Sequence, residues 1–451
     1  MTFDMDHWQP RLDELREANH VPGAGLAVLV DGAVHELASG VLHRGTGVPV
    51  TTDSVFQLGS VAKIYTSTQV MQLVDEGLLD LDAPIKDVLP DFAVADPEVT
   101  KTVTARQLLS HTSGISGDFY YDSGRGDDCL ARYLEAVERV GQDCPPGLMV
   151  SYSPTGYMIL GRLIEVLTGQ IWDVALRERL LEPLGAKHTV TLPEDALRFN
   201  AAMSHLGEPG RMPDPAPAWN PMPRASGPNG FVVASAGDVV KLARLHLNGG
   251  TAADGTRVLS AESVAAMQRR QMDVPDKWTV SADGWGLGWT LYDWHGVAGY
   301  GHDGSAIGQY AYLRVVPSAG VAVALVTNGG GAHPLYAALF RELLGELAGV
   351  RMPEPFGPAA RPPVVDMTPL LGTYRREGVV ITVTPGHLRY EFVDTFKDLP
   401  PLEAELVPVS GTVFAASAPG FSEDWMPVIF TTLPDGAGCC YVGMRAAPKV
   451  A

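Results

Sequence analysis

Two strand-hairpin signals lie far apart in this chain, one at residues 23–40 and one at residues 309–327, and the long stretch between them reads as helix and loop. In the first, the apolar run Gly23-Ala24-Gly25-Leu26-Ala27-Val28-Leu29-Val30 is followed by Asp31-Gly32, and a second apolar stretch opens at Ala33. Asp-Gly between two such runs is a strong hairpin signal, because a two-residue turn needs positive φ at its centre. In the second, residues 309–316 and 320–327 flank Pro317-Ser318-Ala319. A helical pattern over residues 7–18 precedes the first pair, and Leu335, Leu339, Leu343, Leu344 and Leu347 recur at helical spacing within 334–350, after the second. Helix, hairpin, helical insertion, hairpin and helix in that order imply one antiparallel sheet whose flanking helices come from opposite ends of the segment. The class is α+β.

Within the insertion, Ser60 precedes a helical run over 61–75 that stops near Gly77, and residues 155–168 place Leu160, Leu163, Ile164 and Leu167 on one face before Gly169. From there to about residue 275 the pattern is mostly helices and proline-rich loops. Residues 351–363 hold five prolines in thirteen positions, the composition of a stiff linker. The remainder reads as strand: 379–384, a Pro385-Gly386 turn, 388–393 and 439–444. The expected domains are therefore 1–350, a linker at 351–363, and a small antiparallel sheet or barrel at 364–451.

Hydrophobic residues make up 46% of the chain and charged residues 19%, which excludes disorder and fibrous roles. The formal net charge of −19 opposes attraction to phosphate backbones or anionic lipid, so neither nucleic acid nor a membrane is expected as a partner. The early residues Asp4, Asp6, Asp13, Glu14 and Glu17 leave no basic region leading into an apolar core, and the expected location is cytoplasmic. Apolar runs such as 321–326 fall far short of the roughly 20 residues that span a bilayer. Cys129, Cys144, Cys439 and Cys440 contain no metal-type pair, and no metal or cofactor is expected. They read as thiols; a bridge from Cys129 to Cys144 would require export.

Ser60-Val61-Ala62-Lys63 is the sharpest chemical signal. Residues three apart at a helix start share a face, which sets the lysine amine beside the serine hydroxyl. Serine alone is a weak nucleophile, and a desolvated lysine within hydrogen-bond reach activates it. Because the serine opens the helix, its own backbone N–H is available to an oxyanion. Tyr152-Ser153-Pro154 stands just before a helix, and Gly301-His302-Asp303-Gly304-Ser305 stands at the entry to the late hairpin.

At these residues the sequence resembles the penicillin-recognising serine hydrolases: DD-peptidases, class C β-lactamases and their esterase and acyltransferase relatives. The resemblance covers roughly residues 10–350 and extends to the stretches at 105–115, 156–161 and 286–289. It implies a β-lactamase/DD-peptidase-like fold, with Ser60 as acyl-accepting nucleophile, Lys63 as its base, Tyr152 as proton shuttle to the leaving group and His302 on the strand edging the site. The N–H groups of Ser60 and Ser305 would form the oxyanion hole. Gly304 would approach the substrate, while Trp289 and Phe231 are expected as pocket wall or core. His111 and Ser113 are expected to be structural.

One departure stands out. The family's second motif usually ends in Asn, and here that place is Pro154, which has neither an amide side chain nor an N–H. Ordinary β-lactamase or carboxypeptidase specificity is therefore not expected. The catalytic segment, the linker and a C-terminal lipocalin-like β domain together look like the penicillin-binding-protein-type thioesterases. That resemblance implies a peptidyl chain transferred from a carrier-protein thioester to the serine and released by its own amine as a macrolactam. Arg445 would then bind the peptide's terminal region. The alternatives are a D-stereospecific peptidase, amidase or esterase acting on a small peptide, and a catalytically silent ligand-binding module.

Overall fold

The computed structural model describes residues 3–394, 397–418 and 424–451. The chain gathers into two compact units that interleave along the sequence. Met1–Asp80, Leu160–Arg269 and Gly286–Pro353 form the first; Leu81–Ile159, Arg270–Trp285 and Glu354–Ala451 form the second. The units thus cut across the sequential division at the proline-rich run, because the second draws two of its segments from before it.

In the first unit, Gly23–Val30 is buried at every residue. It pairs antiparallel with Ala33–Gly40 on one side and Val321–Thr327 on the other. The register Val30↔Ala33 leaves Asp31 and Gly32 as a two-residue turn with φ of +49° and +76°, the geometry that Asp-Gly favours. Gln309–Val316, Val297–Ala306 and Thr290–Trp294 continue the sheet in that order.

Gly25 and Ala311 flank Val326 in one row, and Leu26 and Tyr312 flank Leu325 in the next. Adjacent rows point to opposite faces. Helix Ala236–Leu247 covers one face, where a Cβ on Gly25 would lie 3.9 Å from Ala236. Helix Ala332–Ala348 covers the other, with Tyr336 stacked on Tyr312 at 4.2 Å between ring centroids. The opening helix Met5–Ala18 is tied to Ala332–Ala348 by the forked Arg11–Glu342 ion pair, at 2.9 and 2.5 Å. That opening helix begins two residues before its apolar periodicity does, because the Asp4 carboxylate accepts from the N–H groups of Asp6 and His7. The insertion also holds something its pattern does not announce: a small sheet of Phe56–Gln57, Val233–Ala234 and Thr189–Val190.

In the second unit, strands from Gly372–Arg376 to Arg445–Pro448 neighbour one another in chain order. The last returns to the first: Thr373 N–H donates to Ala451 O at 2.7 Å, Val450 N–H donates to Thr373 O at 2.8 Å, and Tyr374 bridges Lys449. The result is a closed up-and-down barrel, with Tyr374, Ile381, Phe414, Val428 and Phe430 in its core.

Residues 143–152 lie along two strands of this barrel. Tyr441 Oη donates to Val150 O at 2.8 Å, Tyr152 N–H to Met444 O at 2.9 Å, and Ala446 N–H to Ser151 Oγ at 3.2 Å. Cys144 and Cys439 share an apolar cluster there with Leu433 and Tyr441. Cys144, Cys439 and Cys440 are buried free thiols, and Cys129 is buried as well. Among the described residues, no helix is long and apolar enough to cross a membrane.

Candidate active site

Ser60 sits in the single 3-10 turn Gly59–Val61 that leads into helix Ala62–Asp75. One turn on, Lys63 is wholly buried, and its Nζ donates to Ser60 Oγ at 3.1 Å and to the carbonyl oxygen of Asn229 at 2.6 Å. The short helix Gly227–Gly230 that supplies this carbonyl is held to the same face by Thr66 Oγ1, which donates to Pro228 O at 2.7 Å. Nothing in the sequence pointed to Asn229. Its part is played by a backbone oxygen 166 positions away in the chain, which any residue would supply.

His302, Gly304 and Ser305 belong to strand Val297–Ala306. His302 is buried, and its Nδ1 lies 2.6 Å from the carbonyl oxygen of Asp303. Nδ1 is therefore the donor, and Nε2 carries the lone pair. Burial above all pushes the ring's pKa down from 6.5 to about 3, so the imidazole is neutral at ordinary pH. Behind it, Asp303 is clamped by Arg314 at 2.5 and 3.1 Å. The guanidinium lies over the rings of Tyr292 and Tyr336, at 4.7 and 4.9 Å.

Two glycines let the strand touch the start of the serine helix. Gly59 adopts φ +52°, and a Cβ there would lie 2.5 Å from Ser305 N. A Cβ on Gly304 would lie 1.9 Å from Leu58 O and 3.0 Å from Ser60 N. Contact is backbone to backbone, and only residues without side chains permit it.

The second unit brings Tyr152 and Arg445 together. The Arg445 guanidinium lies 5.0 Å over the Tyr152 ring, its Nη2 pairs with Asp118 Oδ1 at 3.0 Å, and its Nη1 donates to Gly443 O at 2.8 Å. The Tyr152 ring also packs on His111 at 4.4 Å and on Trp285 at 5.8 Å. His111 Nδ1 accepts from Ser153 N–H at 3.0 Å, which holds the backbone just after Tyr152. Pro154 opens helix Pro154–Thr168, a position where a missing N–H costs nothing.

Of the two places expected for Trp289 and Phe231, substrate-pocket wall or core, the packing favours core. Trp289 is fully enclosed, with His246 and Tyr300 at 5.0 and 4.8 Å between centroids, and has no surface left for a substrate. Phe231 packs with Val55 and Val233 and meets Trp219 edge to face at 5.9 Å. Both are core side chains.

A helix-flanked antiparallel sheet of this topology is the β-lactamase/DD-peptidase fold. The beta-lactamase family model matches residues 8–346, and the chain belongs to that family of serine hydrolases, which includes the penicillin-binding proteins. More particularly, it is 64% identical over 378 residues to "Penicillin-binding protein 4" of Amycolatopsis lactamdurans, covering 84% of this chain and 99% of that one. The crystal structure of SurE is 30% identical with a TM-score of 0.79 over 99% of both chains, so the likeness takes in the C-terminal barrel as well as the sheet. A relative named as an unguisins hydrolase, from Aspergillus campestris, is 27% identical over 323 residues, 68% of this chain and 59% of that protein.

Proposed function

We propose that this serine hydrolase is an acyltransferase that accepts a peptidyl chain from a carrier-protein thioester and releases it as a head-to-tail macrolactam. The observation that carries the covalent step is the 3.1 Å contact between the buried Lys63 amine and Ser60 Oγ. In the first half-reaction Lys63, as the free amine, takes the hydroxyl proton. Oγ then bonds to the thioester carbonyl carbon, the C–S bond breaks, and the thiol leaves with a proton that Tyr152 delivers. The oxyanion is met by the N–H groups of Ser60 and Ser305. In the second half-reaction the peptide's own amine forms the C–N bond and gives its proton to the Tyr152 phenolate, the C–Oγ bond breaks, and Ser60 recovers its proton from Lys63. Holding amine and ester together makes that step effectively unimolecular, worth up to about 7–11 kcal/mol in ideal cases. Arg445 binds the peptide's terminal region, and Gly304 lets the substrate approach the strand. What supports a peptide-type substrate is the end-to-end likeness to SurE, a protein crystallised with D-Leu, at 32% identity to this chain.

Incubation with a peptidyl-pantetheine thioester, with cyclic and linear products separated by mass, tests the proposal. Cyclic peptide is expected; linear acid alone would leave only the hydrolase. The 64% identity to "Penicillin-binding protein 4" favours one second reading, in which water resolves the acyl-enzyme and the substrate is a small peptide amide or ester. Turnover of such amides or esters without thioester preference would select it.

A further inference from the structure

The barrel interior is not filled throughout. Along His387–Phe392, Leu388, Tyr390 and Phe392 point inward by strand alternation, and Leu402, Met426, Val428 and Val442 do so from other strands. Between them lies a cavity of about 550 Å³ that opens to solvent, with Pro400, Pro401 and Thr279 also in its lining. Close-packed interiors leave few voids larger than a water molecule, while an eight-stranded barrel is wide enough to hold one small ligand. A space of this size is within the range of ligand pockets.

Its chemistry narrows the occupant. Among the described lining residues the one charged side chain, Glu403, is already held by Arg389 in an exposed ion pair. The described wall otherwise offers hydrocarbon, a Thr279 hydroxyl already donated to Asp276, two aromatic rings in edge-to-face contact at 5.2 Å, and the Tyr390 phenol. Tyr390 Oη accepts from the buried Arg376 Nη2 at 2.5 Å, so its own O–H is oriented to donate elsewhere. A charged ligand would be desolvated against hydrocarbon without compensation. A neutral apolar group with one hydrogen-bond acceptor would not.

We infer that this cavity is a binding site for a neutral lipophilic group carrying a single acceptor such as an amide or ester carbonyl. The group is either an apolar side chain of a peptide substrate or a free small molecule of the same chemistry. The test of this binding does not require the serine chemistry to work.

Titration of the full-length protein with Nile red, a neutral ring system with one carbonyl, reads the site directly. Saturable binding of one dye per chain is expected, displaced by neutral N-alkyl amides and not by alkyl carboxylates. Met426→Trp and Leu402→Trp each fill the space and are expected to weaken binding by about tenfold or more, with circular dichroism and melting temperature confirming that each variant is folded. Tyr390→Phe should weaken amides more than plain hydrocarbons. If the displacing amide also inhibits peptide turnover, the occupant is a substrate side chain; if turnover is unaffected, it is a free ligand. Absence of saturable binding to the wild-type chain, or unchanged binding in both folded tryptophan variants, would overturn the inference.

Discussion

Ser60 and Lys63 are the residues whose pairing follows from spacing alone, since three positions at a helix start set two side chains side by side. Ser60→Ala is expected to abolish covalent labelling by a fluorophosphonate probe, and Lys63→Ala to slow it by about 10²–10⁴-fold; labelling at the wild-type rate in either variant would show that the nucleophile or its base is misassigned. His302 and His246 make a second residue-scale prediction. Burial lowers both rings from 6.5 to about 3. Between those values the unfolded chain binds protons that the folded chain refuses, so stability falls as pH drops through the window, by about 1.4 kcal/mol per pH unit for each ring. His246→Gln should therefore flatten the decline between about pH 6.5 and pH 3 in urea denaturation curves, and an unaltered slope would mean that the ring is charged in the fold. Asp143 behaves in the opposite sense. Burial raises it from 3.8 to about 7, against the hydrogen bonds of Ser116 and Ser151. The folded chain holds that proton longer, so its contribution to stability is lost as pH rises from about 4 to 7, and Asp143→Asn should remove this loss. No spacing rule separates wall from core for Trp289 and Phe231, because an aromatic side chain reads the same in sequence whether it faces a ligand or its neighbours.

At the scale of elements, the hairpin turn at Asp31-Gly32 and the helix carrying Lys63 are written locally, in turn chemistry and apolar period. The ten-residue strand Val297–Ala306 is not, because Gly299, Gly301 and Gly304 dilute its strand character. At Gly304 the reason is tertiary: the residue abuts Leu58 O and Ser60 N of a distant segment. Gly304→Ala must push the strand away from the serine, and the acylation rate should fall by about 10²–10³-fold, the usual cost of a misplaced oxyanion donor, while far-UV circular dichroism stays close to wild type. Acylation at the wild-type rate would show that this backbone contact does not shape the site. The two-residue strands at 56–57, 189–190 and 233–234 are too short to show any period.

For the molecule as a whole, the proline-rich run marks where the sheet segment ends, but the C-terminal barrel completes a unit that begins at Leu81. A chain ending at Pro353 would strip residues 143–152 of the partners that Tyr441, Met444 and Ala446 provide, and would expose the apolar cluster around Cys144. Such a truncation should melt well below the full-length protein and lose probe labelling; a stable, fully labelled fragment would show that the barrel is an independent appendage. Taken by itself, the sequence determined the α+β class, the helices drawn from opposite ends of one sheet, the strand-rich C-terminus and the serine–lysine pair, because turn residues, apolar period and helical spacing act over a few positions and need no distant partner. Tertiary structure alone decided that the C-terminal strands close into a hollow barrel, that this barrel shares a unit with the Tyr152 segment, that a carbonyl at Asn229 receives the lysine, and that Trp289 is sealed in the core. These depend on which surfaces meet, and burial and backbone contacts between remote segments leave no periodic trace in the chain that makes them.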